Sequence, residues 1–306
     1  MFKHQKYFSA GLIALAAFVS TASIQGAWAQ TGPAAPALGT ASNFAVLSAA
    51  PNNGGAVTCT ASTINGNVGS SGPMTSVVQT GCTVTGSVIA PVSTQVLTDF
   101  NSTYNQYATL PCTGTLDTAY TGATLRLPPG VYCNAAAVTF TDTTLTLDGL
   151  GNANAAWIFK IGTGGTGALT GTNFSVIMAN AGQPCNVSWW VAEAVTMTTS
   201  SMQGTILAGA AITMTGLAGT TTAFNGDALA KAAVTLTNVS ITSCQALGSG
   251  GNGGKSHNEC RQHGSGHGSE DCNSDHSEHG SPFNPFNLNG DDARISGNHG
   301  RNGSNE

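Results

Sequence analysis

Three groups of residues in this chain have the types and spacing to do chemistry. The first is a set of apolar-Thr-apolar triplets, Val195-Thr196-Met197, Ile212-Thr213-Met214 and Val234-Thr235-Leu236. In an extended strand each puts two apolar side chains on one face and a hydroxyl beside a methyl on the other. Repeated, that pair makes a non-ionic hydrogen-bonding surface, not a reaction centre. The second group is carboxylates: Asp142 with Asp148, and Glu193 with Asp227, are the only core acids placed to approach one another for general acid–base work. The third lies near the carboxy terminus, where His257, His263, His267, His276 and His279 surround Cys260 and Cys272. Cys260-x2-His263 and Cys272-x3-His276 resemble zinc-ligand spacings, which makes His263, His267, His276 and His279 candidate ligands for zinc or nickel. A disulfide between the two cysteines is the competing use of the same segment.

Composition narrows the field. Between residues 30 and 245 there are six acids (Asp99, Asp117, Asp142, Asp148, Glu193, Asp227), three bases (Arg126, Lys160, Lys231) and no histidine. Ordinary soluble domains are roughly a quarter charged, so hydroxyls and amides must solvate this exterior. No basic footprint for nucleic acid exists. Ser-His-Asp and Cys-His catalysis is excluded from the core. The dispersed acids do not form the clustered carboxylates of the pectin lyases and polygalacturonases that also use β-helices. No catalytic residue and no cofactor is therefore expected.

The ends of the chain differ from its middle. Lys3 and Lys6 precede an apolar run over residues 8–19, and Ala27-Trp28-Ala29 offers a small-x-small cleavage site. Residues 1–29 read as a secretory signal peptide, with an apolar run too short to span a bilayer. No later stretch qualifies as a membrane span, so the product is expected outside the cell. There its eight cysteines can oxidise. Eight allow 105 pairings; nearness in sequence suggests Cys59 with Cys82, Cys112 with Cys133, Cys185 with Cys244 and Cys260 with Cys272. Residues 246–306, rich in Gly, Ser and His, read as a disordered tail, leaving 30–245 as the folded domain.

The elements that must position the threonines follow from period. Triplets 17 and 22 residues apart are too far apart for hairpins but suit successive circuits of a coil. Val138-Thr139-Phe140, Leu145-Thr146-Leu147 and residues 156–161 give three sides of one circuit, and Leu169-Thr170, 174–178 and 187–191 repeat the order. The expected fold is a right-handed three-sided β-solenoid, with one long helix packed alongside and coil pattern beginning after the block Pro128–Cys133. Upstream, residues 38–47, 62–69 and 83–90 read as strands, the second with Asn-Gly turn chemistry. Residues 92–110 change period: Val96, Leu97, Phe100, Tyr104 and Tyr107 form one apolar helical stripe, capped by Ser93 and ended by Pro111. On this register Thr139, Thr170, Thr196, Thr213 and Thr235 share one outer file, and Thr146, Ser175, Gln203 and Ser240 fall on a second wall. Of Trp189 and Trp190, which are adjacent, one is expected inward as core and the other outward, packed under the helix or, as the lesser alternative, stacked on a sugar. Asp227 and Lys231 are expected at a corner as solvated charges, and Asp148 bonded to its own turn.

The blocks LGTASNFAVLSAA, TINGNVG, PPGVYC, LTLDGLGNANAAWIFKIG, NVSWWVAEAVTM, GTILAGAAITM and GDALAKAAVTLTNVSI, in that order between Leu38 and Cys244, resemble the bacterial and fungal secreted ice-binding protein family. The resemblance implies a discontinuous three-sided solenoid flanked by one long helix, amino-terminal strands joining a coil beside the carboxy-terminal ones, and a flat wall that adsorbs to ice. Two departures stand out. The segment after Ser48, AAPNNGGAVTCTAS, replaces a Thr/Ser-rich strand and leaves the first coil's share of that wall unsupported, and the histidine-rich tail is not part of the family domain. On the implied function, Thr139, Thr170, Thr196, Thr213 and Thr235 are the first choice for ice contact and Thr146, Ser175, Gln203 and Ser240 the rival. A non-catalytic structural or adhesive role outside the cell is the alternative. The tail reading has its own test: zinc titrated into residues 246–306 in a calorimeter should release binding heat, and a flat trace would remove those histidines as ligands.

Overall fold

The computed structural model describes residues 32–248; residues 1–29, expected as a signal peptide, and Cys260, Cys272, His263, His267, His276 and His279 lie outside the described residues. The backbone winds in circuits of three short strands, each hydrogen-bonded in parallel to strands of neighbouring circuits. The first side is a nine-stranded sheet in the order Val88–Ile89, Asn67–Ser70, Phe44–Ser48, Ala228–Ala230, Thr205–Ala208, Val187–Val191, Trp157–Ile161, Gly130–Asn134, Gly114–Thr115. The second is eight-stranded: Val77–Thr80, Val57–Thr60, Val234–Thr237, Ile212–Thr215, Val195–Thr198, Leu169–Thr172, Val138–Thr141, Ala119–Thr121. The third side is split. Five strands run Met202–Gln203, Thr222–Asn225, Val239–Thr242, Thr63–Asn65, Thr83–Val84, and three run Thr124–Leu127, Thr144–Asp148, Ser175–Ala179. A lone bridge between Ser175 and Ser201 joins the two parts.

The solenoid is discontinuous. Strand Phe44–Ser48 pairs with Ala228–Ala230, so the first coils stack on the last. Helix α1 (Thr94–Thr109) then carries the chain to the opposite edge, where Gly114–Thr115 begins the return. Three sequence segments expected as strands bend, the middle one at the Asn65-Gly66 pair whose turn chemistry the sequence shows. Residues 38–47 open with a 3-10 turn, Gly39–Asn43, before the strand, because Asp99 of α1 accepts the Thr40 amide at 2.8 Å and its hydroxyl at 2.7 Å. Those bonds hold the Asp99 carboxyl below its ordinary pKa. Residues 62–69 turn a corner at Gly66, whose φ is +144° and where a Cβ would sit 2.7 Å from Ala45 Cβ. Residues 83–90 make two short strands on different sides. The coil pattern also starts upstream of Pro128, at Gly114–Thr115, Ala119–Thr121 and Thr124–Leu127.

Two hydrophobic layers hold these parts. Inside the prism, Phe140 stacks on Phe174 with centroids 4.3 Å apart, and Phe159 on Trp189 at 4.1 Å. Outside the first side, α1 lays Val96, Phe100, Tyr104 and Tyr107 on Leu47, Ile158, Trp190, Leu207 and Leu229. The central strands of the first side are therefore buried on both faces. Polar contacts fix the helix in place. Tyr104 donates to the Val191 carbonyl at 3.0 Å, the Trp190 indole donates to the Tyr104 carbonyl at 2.9 Å, and Tyr107 shares a 2.8 Å bond with Ser188. Lys160, 3% exposed, donates to the carbonyls of Ala108 and Leu110 at 2.9 and 2.6 Å. A buried cation thus meets the negative end of the helix, and its burial lowers its pKa. Ser93 accepts from the Val96 amide at the other end, and Pro111 follows the last turn. Disulfides Cys59–Cys82, Cys112–Cys133 and Cys185–Cys244 cross-link the described residues.

Asp227 and Lys231 are not solvated corner charges. The Lys231 ammonium sits 3.8 Å over the Tyr104 ring, a cation–π contact with the docked helix. Asp227 is 3% exposed and accepts from Thr205, Ser243 and the Cys244 amide. Burial outweighs these donors and pushes its pKa up to about 6. Because the folded pKa lies above the unfolded one, this group's stabilising contribution is complete below about pH 4 and is lost as pH rises through 6. Asp227→Asn keeps the acceptor oxygen toward Ser243, so urea unfolding at pH 7 should show it more stable than the parent, by about 3 kcal/mol at most. At pH 4 the two should converge.

Candidate functional site

The second side is the one where the sequence repeats most strictly. Its inward residues are apolar and buried, among them Val138, Leu169, Val195, Ile212, Val234 and Val57. Its outward residues form two files. In the first, Thr139 pairs with Thr170, Thr170 with Thr196, Thr196 with Thr213, and Thr213 with Thr235. These are the five threonines singled out above, and the structure brings all of them together. Thr58 extends the file from the first coil, so the segment after Ser48 does supply a rung. The second file runs Thr121, Thr141, Thr172, Thr198, Thr215, Thr237, Thr60 and Thr80 without a break. Sequence reasoning centred on triplets missed it, although VTFT, LTGT, VTMT, ITMT, VTLT and VTCT carry the signal. Apart from Ala119 and Val78, at the two edges, every outward residue of this sheet is a threonine.

Rungs repeat about every 4.8 Å across the strands and about every 6.7 Å along them. The ladder carries no bulge along this wall, and its inner face is fixed by the stacked core. Among the described residues, these threonine hydroxyls make no hydrogen bond within the protein, whereas hydroxyls at the corners, such as Thr143 and Ser200, are tied to neighbouring carbonyls. The wall's hydroxyls are thus left for solvent. The corner beyond it is sharp because Asp142, Asn173 and Asn238 adopt φ near +50°, a conformation that Asn and Asp tolerate. An amide–carboxylate bond of 2.9 Å joins Asn173 to Asp142, and Thr199 donates to Asn173.

The rival residues separate. Thr146 aligns with Ile177 and Arg126, Ser175 with Thr144, Gln203 with Asn225, and Ser240 with Ala223 and Thr63. They lie on the third side but in two sheets and in no common file. Ser175 is bonded to Ser201 at 3.0 Å, and Gln203 accepts from Asn225 at 3.1 Å. Arg126 and exposed Ile177 break that side further, with Arg126 paired to Asp148. Asp148 also accepts from the Leu150 amide and from Asn180, which together with Arg126 hold its carboxyl below the usual range. Glu193 accepts from the Gly167 amide, while Asp227 accepts from Thr205, Ser243 and the Cys244 amide, so these two carboxylates are engaged by different partners. Among the described residues no group of three or more His, Cys, Asp or Glu gathers as a metal site, and no helix is long and apolar enough to cross a membrane.

A discontinuous parallel solenoid with one clamped helix and one ruled hydroxyl wall defines the class. The family model described as Ice-binding-like matches residues 48–242, and the chain belongs to that family. Among its relatives, an ice-binding protein of Nostoc sp. (strain HG1) is 35% identical over 182 residues, covering 58% of this chain and 64% of the relative. Ice-binding protein K1-A of Typhula ishikariensis is 32% identical over 202 residues, covering 58% of this chain and 78% of that one. The crystal structure of an ice-binding protein from an Antarctic Flavobacteriaceae bacterium superposes with a TM-score of 0.57 at 33% identity, over 68% of this chain and 47% of that one. That from Antarctomyces psychrotrophicus gives 0.55 at 29%, over 68% and 98%. The match thus spans less than two thirds of the Nostoc relative and about half of the Flavobacteriaceae chain.

Within the wall, Gly171 occupies an inward position where a Cβ would lie 2.5 Å from Met197 Sδ and 3.3 Å from Phe174 Cβ. Gly171→Leu should therefore lower stability by about 1–3 kcal/mol through overpacking. Thr170→Val, one residue away but facing outward, should stay within about 0.5 kcal/mol in the same thermal melts.

Proposed function

We propose that this chain is a secreted ice-binding protein that adsorbs to ice through the threonine wall and so restrains ice growth or recrystallisation. The observation that carries the reading is the pair of in-register threonine files whose hydroxyls are unused by the protein. Each rung offers water an anchoring hydroxyl and a spacing methyl, at repeats on the scale of the oxygen lattice of ice. One such contact is weak. Many act together only when the partners are already in place, because then binding has little side-chain and backbone freedom left to remove. The stacked core supplies that preorganisation, and the absence of charge from the wall leaves its ordered water undisturbed. Thr139, Thr170, Thr196, Thr213 and Thr235, with Thr141, Thr172, Thr198, Thr215 and Thr237 beside them, are the contact residues in this reading. The relatives named as ice-binding proteins support it, as does the signal-peptide pattern together with three disulfides, which suit an oxidising exterior.

The test is ice-affinity partitioning together with thermal hysteresis of the full chain. Thr213→Tyr places a ring in the middle of the wall without touching the core, and it should reduce both readouts roughly tenfold, because neighbouring rungs lose simultaneous contact. Thr146→Tyr, on the third side, should leave them near the parent level. A parent protein that stays wholly in the liquid fraction would instead favour the extracellular adhesive role.

A further inference from the structure

Sheet Met202–Gln203, Thr222–Asn225, Val239–Thr242, Thr63–Asn65, Thr83–Val84 has a second property that the threonine wall does not account for. Its outward residues are also uncharged and in register. Ala223, Ser240, Thr63 and Thr83 form one file, with Thr242 and the amides of Asn225 and Asn65 beside them. Asn225 bonds Gln203 and Thr85 bonds Asn65 along that second file, which fixes the amides in place. Ser240, Thr63, Thr83 and Thr242 hydroxyls make no hydrogen bond within the protein among the described residues. Strands of this sheet are direct continuations of threonine-wall strands: Thr237 leads through Asn238 to Val239, and Thr60 through Ala61 and Ser62 to Thr63. The two sheets therefore share one core and one rung spacing, and they meet at a sharp corner.

Resting on the function proposed above, we infer that this five-stranded sheet is a second, weaker ice-adsorbing face, inclined to the first. Its chemistry fits frozen water better than other partners. It has no basic residue for an anionic polymer or membrane surface, and no outward aromatic ring on which a sugar could stack. It is weaker because it is shorter, because its amides are already engaged, Asn225 with Gln203 and Asn65 with the Thr85 hydroxyl, and because Ala223 ends the hydroxyl file. Two inclined faces on one rigid body cannot lie on a single crystal plane. Each molecule can instead seat on either face, or hold two neighbouring crystals.

The experiment compares the fluorescently labelled full chain, Thr213→Tyr, Ser240→Tyr, Thr63→Lys and the double variants of Thr213→Tyr with each of the last two. Each is measured by partitioning into a growing ice hemisphere, with circular dichroism melts to establish folding. Thr213→Tyr should keep roughly a tenth of the parent's incorporation, on a reduced set of planes. Adding Ser240→Tyr or Thr63→Lys should remove that remainder. Thr63 is exposed at the surface, so the lysine variant gives an answer even where Ser240→Tyr fails to fold. Folded double variants that retain the residue of Thr213→Tyr, or a Thr213→Tyr protein with no incorporation at all, overturn the second face and leave the threonine wall intact. A parent protein excluded from the ice overturns both.

Discussion

Parallel pairing of one short strand directly above the next is the constraint from which the rest of this molecule follows. In such a ladder the backbone amides and carbonyls of an inner strand are satisfied by the circuits on either side, and each side chain stands over its counterpart. A residue type repeated at one position of the circuit becomes a file in space. Valine, isoleucine and leucine repeated inward give a continuous core. Threonine repeated outward gives a surface whose regularity comes from the backbone rather than from any contact the threonines make with one another.

The helix answers a problem that this ladder creates. A three-sided prism exposes three outer faces, and the first of them carries Leu47, Ile158, Trp190, Leu207 and Leu229 outward. Those side chains need cover. Helix α1 provides it, held at its end by Lys160 and at its middle by Tyr104, Trp190 and Lys231. Covering the first side also assigns roles to the others. The second side, outward-polar between its two edges and free of charge, stays open to solvent, and the third is divided between hydroxyl and amide rungs in one sheet and the Arg126–Asp148 pair in the other.

Much of this was legible residue by residue. The period of two in Val195-Thr196-Met197 and its repeats fixes which side chains face the core, since a slip of one residue would turn the methyls and hydroxyls inside out. The helix was legible for the complementary reason, a period of three to four ending in Pro111. The neighbouring file, Thr141 through Thr237, was legible in principle, but triplets draw attention to the residue between two apolar ones and away from the one after them. The first coil's rung at Thr58 and Thr60 was obscured by the Pro-Asn-Asn-Gly-Gly approach, which reads as loop although a strand, Val57–Thr60, begins one residue after it.

The sequence by itself, then, determined inside and outside, the helix, and the rung on which each of five threonines stands, whereas it only suggested the three disulfide pairs that the structure forms. Only the tertiary structure decided which strands are neighbours across the gap between the first and last coils, because pairing of Val57–Thr60 with Val234–Thr237 joins segments about 180 residues apart with no local signal. It alone decided that Asp227 is buried rather than solvated, since the environment of a corner residue is set by what packs over it, here Thr205, Ser243 and Cys244. It also decided which hydroxyls remain free. A threonine's type is local, but whether its oxygen is already occupied depends on the distance to groups that folding brings from elsewhere in the chain.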